Sequence, residues 1–399
     1  MSEDIFAATR RLFEIPDGLI YLDGNSLGVK TKAARARVIE ELDVSWGREL
    51  IRAWNTAGWI DLPSRIGDRI APLIGAPKAS VMVADSTSLN LFKALTAALR
   101  MAGDRRVILS DSGNFPTDLY VAEGVIRTLD KGYQLRIVEP EAVEAAIDDD
   151  VAVMMITQVD YRTGRLHDMA SLTAKARAHG VVTLWDLAHS CGALPVDLTA
   201  VGADFAIGCT YKYLNGGPGS PAFVYVRPDL QERVEPALSA WMGHNAPFAF
   251  TLDYQPAPGI ERMRTGTPPV LSMAALDAAL STWDGVSIEA VRARSIELSE
   301  LFIARVEALC PDLVLASPRD PAKRGSQVSF RFPEGYAAMQ ALIADQVIGD
   351  FRAPDVMRFG FTPLYLSHAD IEEAARRLSV ILTERRWDQP QFKARSKVT

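Results

Sequence analysis

Cysteine is scarce in this 399-residue chain, and the three that occur do not pair: Cys191, Cys209 and Cys310 form no Cys-x-x-Cys unit and leave an odd one over. That excludes a disulfide framework and a cysteine-held zinc site, so no metal is expected and reduced thiols point to the cytoplasm. Long apolar runs are missing too. No stretch of about eighteen apolar residues is there to cross a bilayer, and the acidic start Met1-Ser2-Glu3-Asp4 is not a signal peptide. Nor is there a basic stripe. With a net charge of -7 no nucleic-acid partner is expected, and the tail Lys393-Ala394-Arg395-Ser396-Lys397 reads as a frayed end. Repeats and low-complexity segments are absent. What is there, 48% hydrophobic and 23% charged residues, is the balance of a soluble globular protein long enough for roughly two or three domains.

From about residue 80 to 226 short apolar runs alternate with amphipathic ones. The runs Ser80–Val83, Arg106–Ser110, Gln134–Val138, Val151–Thr157, Val181–Asp186, Phe205–Gly208 and Ala222–Val226 predict strands. Thr87–Leu99, Pro116–Thr128, Glu141–Ile147 and Met169–His179 predict helices between them. Such alternation means an α/β fold with a mostly parallel sheet covered on both faces, whose ligands bind at the carboxyl ends of the strands. Asp85, Ser110-Asp111, Thr157, Asp186 and Cys209 to Lys212 all fall there. After residue 270 the pattern changes to long helices, Val270–Trp283 and Ser287–Leu309. An alternating strand Gly325–Phe332, an amphipathic stretch Ala337–Gln346 and a closing helix Ser367–Arg385 follow, the pattern of a smaller α+β domain. The expected organisation is an N-terminal segment 1–50, a large domain 51–269 and a small C-terminal domain 270–399, with a Gly266-Thr267-Pro268-Pro269 turn at the second boundary.

Lys212 lies in Tyr211-Lys212-Tyr213-Leu214-Asn215-Gly216-Gly217-Pro218-Gly219, and Asp186 opens Asp186-Leu187-Ala188-His189 after a strand. An aspartate at a strand end followed by a lysine in a glycine-rich turn suits pyridoxal phosphate (PLP). The lysine amine bonds the cofactor's aldehyde, and the carboxylate keeps the pyridine nitrogen protonated, which makes the ring an electron sink. Ser86-Thr87-Ser88 begins a helix where a phosphate could meet free amides, or where a hydroxyl simply caps the helix. Phe115, in Asn114-Phe115-Pro116-Thr117-Asp118, could stack on the ring or belong to the core, while Thr117 or Asp118 bonds the cofactor or caps the next helix. Tyr211 could reach the phosphate, carry a proton, or be structural. Arg358 is a lone cation on an apolar strand. It wants a carboxylate, either that of an amino-acid substrate or that of an internal salt bridge.

Taken together, Tyr21-Leu22-Asp23-Gly24-Asn25-Ser26-Leu27-Gly28, Trp54-Asn55-Thr56-Ala57-Gly58-Trp59, Phe115-Pro116-Thr117-Asp118, Asp186-Leu187-Ala188-His189, Tyr211-Lys212 and Trp241-Met242-Gly243-His244 resemble kynureninase, from about residue 20 to 370. This is a family of the class V, aspartate-aminotransferase-like PLP enzymes of fold type I. The resemblance implies hydrolysis of L-kynurenine, or its 3-hydroxy form, to anthranilate, or 3-hydroxyanthranilate, and L-alanine in tryptophan catabolism. It implies Lys212 as the cofactor lysine and Asp186 as the pyridinium partner beside His189. Thr87 and Ser88 would contact phosphate, Phe115 would stack on the ring within Phe115 to Asp118, Thr157 would touch the cofactor, and Tyr211 would bond the phosphate. Trp241 and Thr267 would complete the site from the partner of a homodimer, and Arg358 would hold the substrate's α-carboxylate. Three other readings stand beside it. A cysteine desulfurase needs a reactive cysteine on a mobile loop, whereas Cys310 ends an apolar helix. An aminotransferase does not call for an aromatic cluster of Trp54, Trp59 and Trp241. A non-catalytic ligand-binding protein would not need Lys212.

Overall fold

A computed structural model describes residues 4–395. Met1 to Glu3, and Ser396 and Lys397 of the basic tail, lie outside the described residues. After a short strand β1 (Ile20–Tyr21) come β2 (Val81–Val83), β3 (Val107–Asp111), β4 (Gln134–Val138), β5 (Val151–Thr157), β6 (Val182–Asp186), β7 (Phe205–Gly208) and β8 (Phe223–Val226). All seven strands predicted between residues 80 and 226 join one sheet, in the order β2-β8-β7-β6-β5-β3-β4. β3 to β7 pair in parallel, and β8 alone runs against its neighbours β2 and β7.

Water is excluded from both faces. Helices Thr87–Met101, Pro116–Leu129 and Met169–Ala178 supply the crossovers, started by the Ser86 cap, by Pro116 in the first turn and by the Asp168 cap. β5 is buried at every position, as the run Val-Ala-Val-Met-Met-Ile-Thr requires. Alternate residues feed two cores: Leu184, Ile207 and Val224 pack with Leu95 on one face, and Trp185, Ala206 and Phe223 belong to the other. The helix predicted over Glu141–Ile147 does not form. A single tight turn, Pro140–Ala142, is followed by turns that bury Val143 and Ile147. Seven residues between Pro140 and the Asp148-Asp149-Asp150 run are too few to repay helix nucleation, and the spacing of the two apolar residues serves a turn equally well.

Past residue 270, helices Val270–Ala279 and Ile288–Leu309 lead to β9 (Val314–Leu315), β10 (Gln327–Arg331), β11 (Val347–Ile348), β12 (Asp350–Arg352) and β13 (Val356–Gly360). Four of these make an antiparallel sheet in the order β12-β13-β10-β9. β10 does alternate. Val328 and Phe330 enter the core, where Phe302 meets Phe330 and Phe359 at ring-centroid distances of 6.2 and 4.8 Å. Its polar face meets the large sheet's loops rather than water: Gln327 Nε2 donates to Tyr161 O at 2.9 Å and Ser329 Oγ to Arg162 O at 2.5 Å. The N-terminal residues return to this unit. β1 pairs in parallel with β11, and Thr9 Oγ1 donates to Leu364 O at 2.8 Å. Helix Lys32–Glu40 then widens into π-type turns over Glu41–Glu49, where buried Glu41 is held by Arg37 and by Trp59 Nε1 at 2.9 Å.

Candidate active site

The carboxyl edge of the large sheet delivers Asp85 after β2, Asp111 from β3, Thr157 from β5, Asp186 from β6 and the Lys212 turn after β7. A cavity of about 550 Å³ opens along it. Its lining includes Asp85, Thr87, Ser88, Phe115, Thr117, Asp118, Asp186, His189, Tyr211 and Lys212, with Pro218 to Ala222 from the strand that runs the other way.

Two buried carboxyls form its floor. Asp186 Oδ1 accepts the Ala188 amide at 2.7 Å, and Asp118 lies beside it, close enough for the two carboxyls to influence each other. Burial, and then the charge of Asp186, raise Asp118 well above the usual carboxylate range. Burial also raises Asp186, but the Ala188 amide and the Lys212 charge oppose it. Of the two, Asp118 is the one pushed further toward its neutral form. Above them Lys212 Nζ lies 2.9 Å from His189 Nε2. Burial, then the neighbouring Lys212 charge, hold His189 well below its ordinary pKa, so it is neutral and accepts the lysine's hydrogen bond. Tyr211 is pushed above its ordinary value, first by Cys209 and then by burial. Its phenol therefore keeps its proton.

Local backbone fixes the lysine. Gly28 N donates to Tyr211 O at 2.7 Å, and a Cβ on Gly28 would collide with the Lys212 carbonyl oxygen. Only glycine lets the N-terminal turn come this close. At the other end of the cavity the Thr87 and Ser88 amides open a helix, where they have no acceptor one turn back. Asp85, in the left-handed region at φ 52°, is pinned by Lys93 Nζ at 2.6 Å and Thr265 Oγ1 at 2.6 Å. Lys93 is fully buried and also donates to Met263 O at 2.5 Å.

These groups fit PLP. A buried carboxylate can face a pyridinium, a lysine can bond an aldehyde, and a helix start with hydroxyls and a phenol donor can hold a phosphate. Phe115 lines the cavity, 43% exposed and edge-on to Tyr161 at 5.2 Å.

Other expected residues stand apart. Pro116 starts its helix and does not line the cavity. Thr157 is buried opposite Asp186 in register, and its Oγ1 makes a long 3.4 Å bond to Val159 O. Thr267 lies in a crevice beside Asp85, with Pro269 of the same segment reaching the cavity. Trp241 packs with Phe248 and Phe250 on a separate surface. Trp54 and Trp59 pack on each other, ring centroids 5.9 Å apart, with Trp59 Nε1 donating to Glu41, and neither makes a ring contact with Trp241 of the same chain. Arg358 is buried and paired within the chain. Its Nε donates to Asp350 Oδ1 at 2.6 Å, its Nη2 to Asp350 Oδ2, and its Nη1 to Tyr161 O. Asp350 escaped sequence reasoning, although an aspartate eight residues before the arginine across a tight turn is the spacing that puts the two opposite each other. Ser26 was missed as well, for lack of any local sign that it meets Asp350 and Arg358.

The fold is shared with solved structures of low sequence identity. The chain superposes on a cysteine desulfurase from Thermococcus onnurineus NA1 with a TM-score of 0.83 at 18% identity, covering 96% of this chain and 99% of that one. On C-DES, solved as a variant with glycine covalently linked to its PLP cofactor, the TM-score is 0.78 at 18% identity, covering 93% and 98%. Fold and site together define a PLP enzyme of fold type I. Sequence narrows the class. Residues 291–378 match the kynureninase C-terminal domain, and the kynureninase of Pseudomonas fluorescens is 51% identical over 405 aligned residues, covering 100% of this chain and 97% of that one. The chain belongs to the kynureninase family.

Proposed function

We propose that this protein hydrolyses L-kynurenine and its 3-hydroxy form to the corresponding anthranilate and L-alanine. The observation that carries this is Lys212 held against neutral His189, over the buried Asp186–Asp118 pair, in a chain of this family. Bound PLP supplies an aldehyde for the substrate's amine and a ring that accepts the electron pair released at the α-carbon. Lys212 Nζ takes the α-proton and moves it on. Asp186 would face the pyridine nitrogen and hold its proton, and Asp118, pushed toward its neutral form by burial, would leave the negative charge to Asp186. Thr87, Ser88 and Tyr211 would hold the phosphate, Phe115 and Thr117 would contact the ring, and Thr157 would support the site from the neighbouring strand. Water adds to the substrate's γ-carbonyl, the Cβ–Cγ bond breaks, and Tyr211, whose phenol is protonated, serves as proton donor. The test is incubation with both substrates, followed by anthranilate fluorescence and alanine assay. Equal amounts of the two products support the reading, and their absence in PLP-loaded protein overturns it. A desulfurase reading has no support: Cys191, Cys209 and Cys310 are all buried, and burial pushes Cys310 up to about 11.

Arg358 is proposed to anchor the substrate's α-carboxylate. Arg358→Lys keeps the charge but loses the two-pronged fork. KM should rise on the order of tenfold or more while kcat changes less, with the resting cofactor spectrum unchanged. Loss of cofactor or of folding with KM unchanged would mark Arg358 as purely structural.

A cytoplasmic homodimer with composite sites completes the proposal. No helix among the described residues is long and apolar enough to cross a membrane. Two exposed apolar stretches support self-association: Leu42, Trp46, Leu50 and Ile51 on the first, Trp241, Phe248, Phe250 and Leu252 on the second. Trp241 and Thr267 would then reach the partner's phosphate. Mixing inactive Lys212→Ala with an inactive Thr267 or Trp241 variant should restore activity through one sound site per heterodimer. No recovery after verified subunit exchange would count against shared sites.

A further inference from the structure

Asp350 and Arg358 are direct partners on the antiparallel strands β12 and β13, so their side chains share a face. The carboxylate takes both prongs of the guanidinium, Nε at 2.6 Å and Nη2, which is the arrangement a bound carboxylate ligand would adopt. Ser26 Oγ donates to the same carboxylate at 2.5 Å and accepts from Arg358 Nη2 at 3.1 Å. Arg358 is 1% exposed, and its remaining prong, Nη1, is spent on Tyr161 O. No second carboxylate can enter this fork while Asp350 holds it.

Asp350 has somewhere else to go. Arg352, two residues along β12 and on the same face, places Nη2 2.9 Å from Asp350 Oδ2. β12 is the edge of its sheet, and Arg352 on it is only partly buried. The local charge leaves room for one more anion. Burial works against the Asp350 charge, but Arg358 and Arg352 hold it below its ordinary pKa, whereas burial and the charge of Asp350 push nearby Asp23 up to about 7. Arg358 and Arg352 thus set two positive charges against Asp350, while Asp23 ionises less readily than an ordinary carboxyl.

We propose that Asp350 is the resting occupant of the Arg358 fork and that an amino-acid substrate binds by carboxylate exchange, taking Arg358 while Asp350 passes to Arg352. This rests on the reading of Arg358 as substrate anchor. In the exchange neither guanidinium is ever left bare, so the penalty for an unpartnered buried charge is avoided. Asp350 and Arg352 are positioning residues, and they set how strongly any α-carboxylate must compete to enter.

The test is calorimetric titration of the PLP-loaded protein with L-alanine. Asp350→Asn, nearly isosteric, removes the competitor, and the alanine Kd should fall by about tenfold, the gain expected when a fork free only about a tenth of the time becomes free always. Arg352→Gln removes the refuge, and Kd should rise by a similar factor. The double variant should bind like Asp350→Asn alone, because no carboxylate is left to rehouse. Additive effects, or weaker binding by Asp350→Asn in protein that melts normally and keeps its cofactor absorbance, would overturn the exchange. Independently of any variant, a crystal of the wild-type protein with L-alanine should show Asp350 beyond hydrogen-bond distance of Arg358 Nε and still on Arg352. Asp350 remaining on Arg358 beside bound ligand would refute it. The two layers separate through Arg358→Lys: unchanged alanine binding there removes the anchor itself, whereas weakened binding without tightening by Asp350→Asn removes the exchange alone.

Discussion

Replacing Lys212 by alanine is expected to abolish turnover, by about ten-thousandfold or more, the upper range for losing a positioned general base together with its covalent role. The cavity explains why nothing can stand in. Lys93 is wholly buried behind Asp85 and bonded to Met263 O, so it cannot swing round to the cofactor's aldehyde, and among the residues lining the cavity Lys212 is the one lysine. His189, the group next to the missing amine, is held neutral by burial and could take a proton but cannot bond an aldehyde the way an amine does. The variant should stay folded and bind PLP without the visible absorbance of the lysine-bound cofactor. Turnover at the wild-type rate would show that another group carries the chemistry.

The second large effect is expected from Asp186→Ala. Without this carboxylate the pyridine nitrogen loses its proton partner, and activity should fall by at least about a hundredfold, the usual loss when a preorganised electrostatic partner is removed. Asp118 is a poor substitute, since burial, the largest influence on it, still favours its neutral form when Asp186 is gone. Asp186→Glu should recover part of the activity and part of the cofactor affinity. An alanine variant with unchanged kcat would end the assignment.

The large sheet was legible because its strands are buried on both faces and so appear as unbroken apolar runs with polar punctuation at one end. Lys212, Asp186 and Phe115 were legible for the same reason: each sits where a run stops. Glu141–Ile147 misled because two apolar residues four apart suit a turn as well as a helix. Arg358 and its partner show a different limit. The sequence carries the demand of a buried cation for a carboxylate but not which carboxylate meets it, since Asp350, Ser26 and the Tyr161 carbonyl come together only through tertiary packing.

The turn Asp23 to Gly28 has one more consequence, for how the molecule is made. Every residue lining the cavity precedes residue 270. Yet the turn that Gly28 presses against the Lys212 carbonyl is itself backed by Gly360 N donating to Leu22 O at 2.7 Å, and by Thr362 and Tyr365 crowding Gly24. A nascent chain emerging at about 5–20 residues per second exposes all the lining residues several seconds before their brace is synthesised. The lysine is seated only when the two ends of the polypeptide have met, so a fragment released early would hold the full chemical inventory of the site without its geometry.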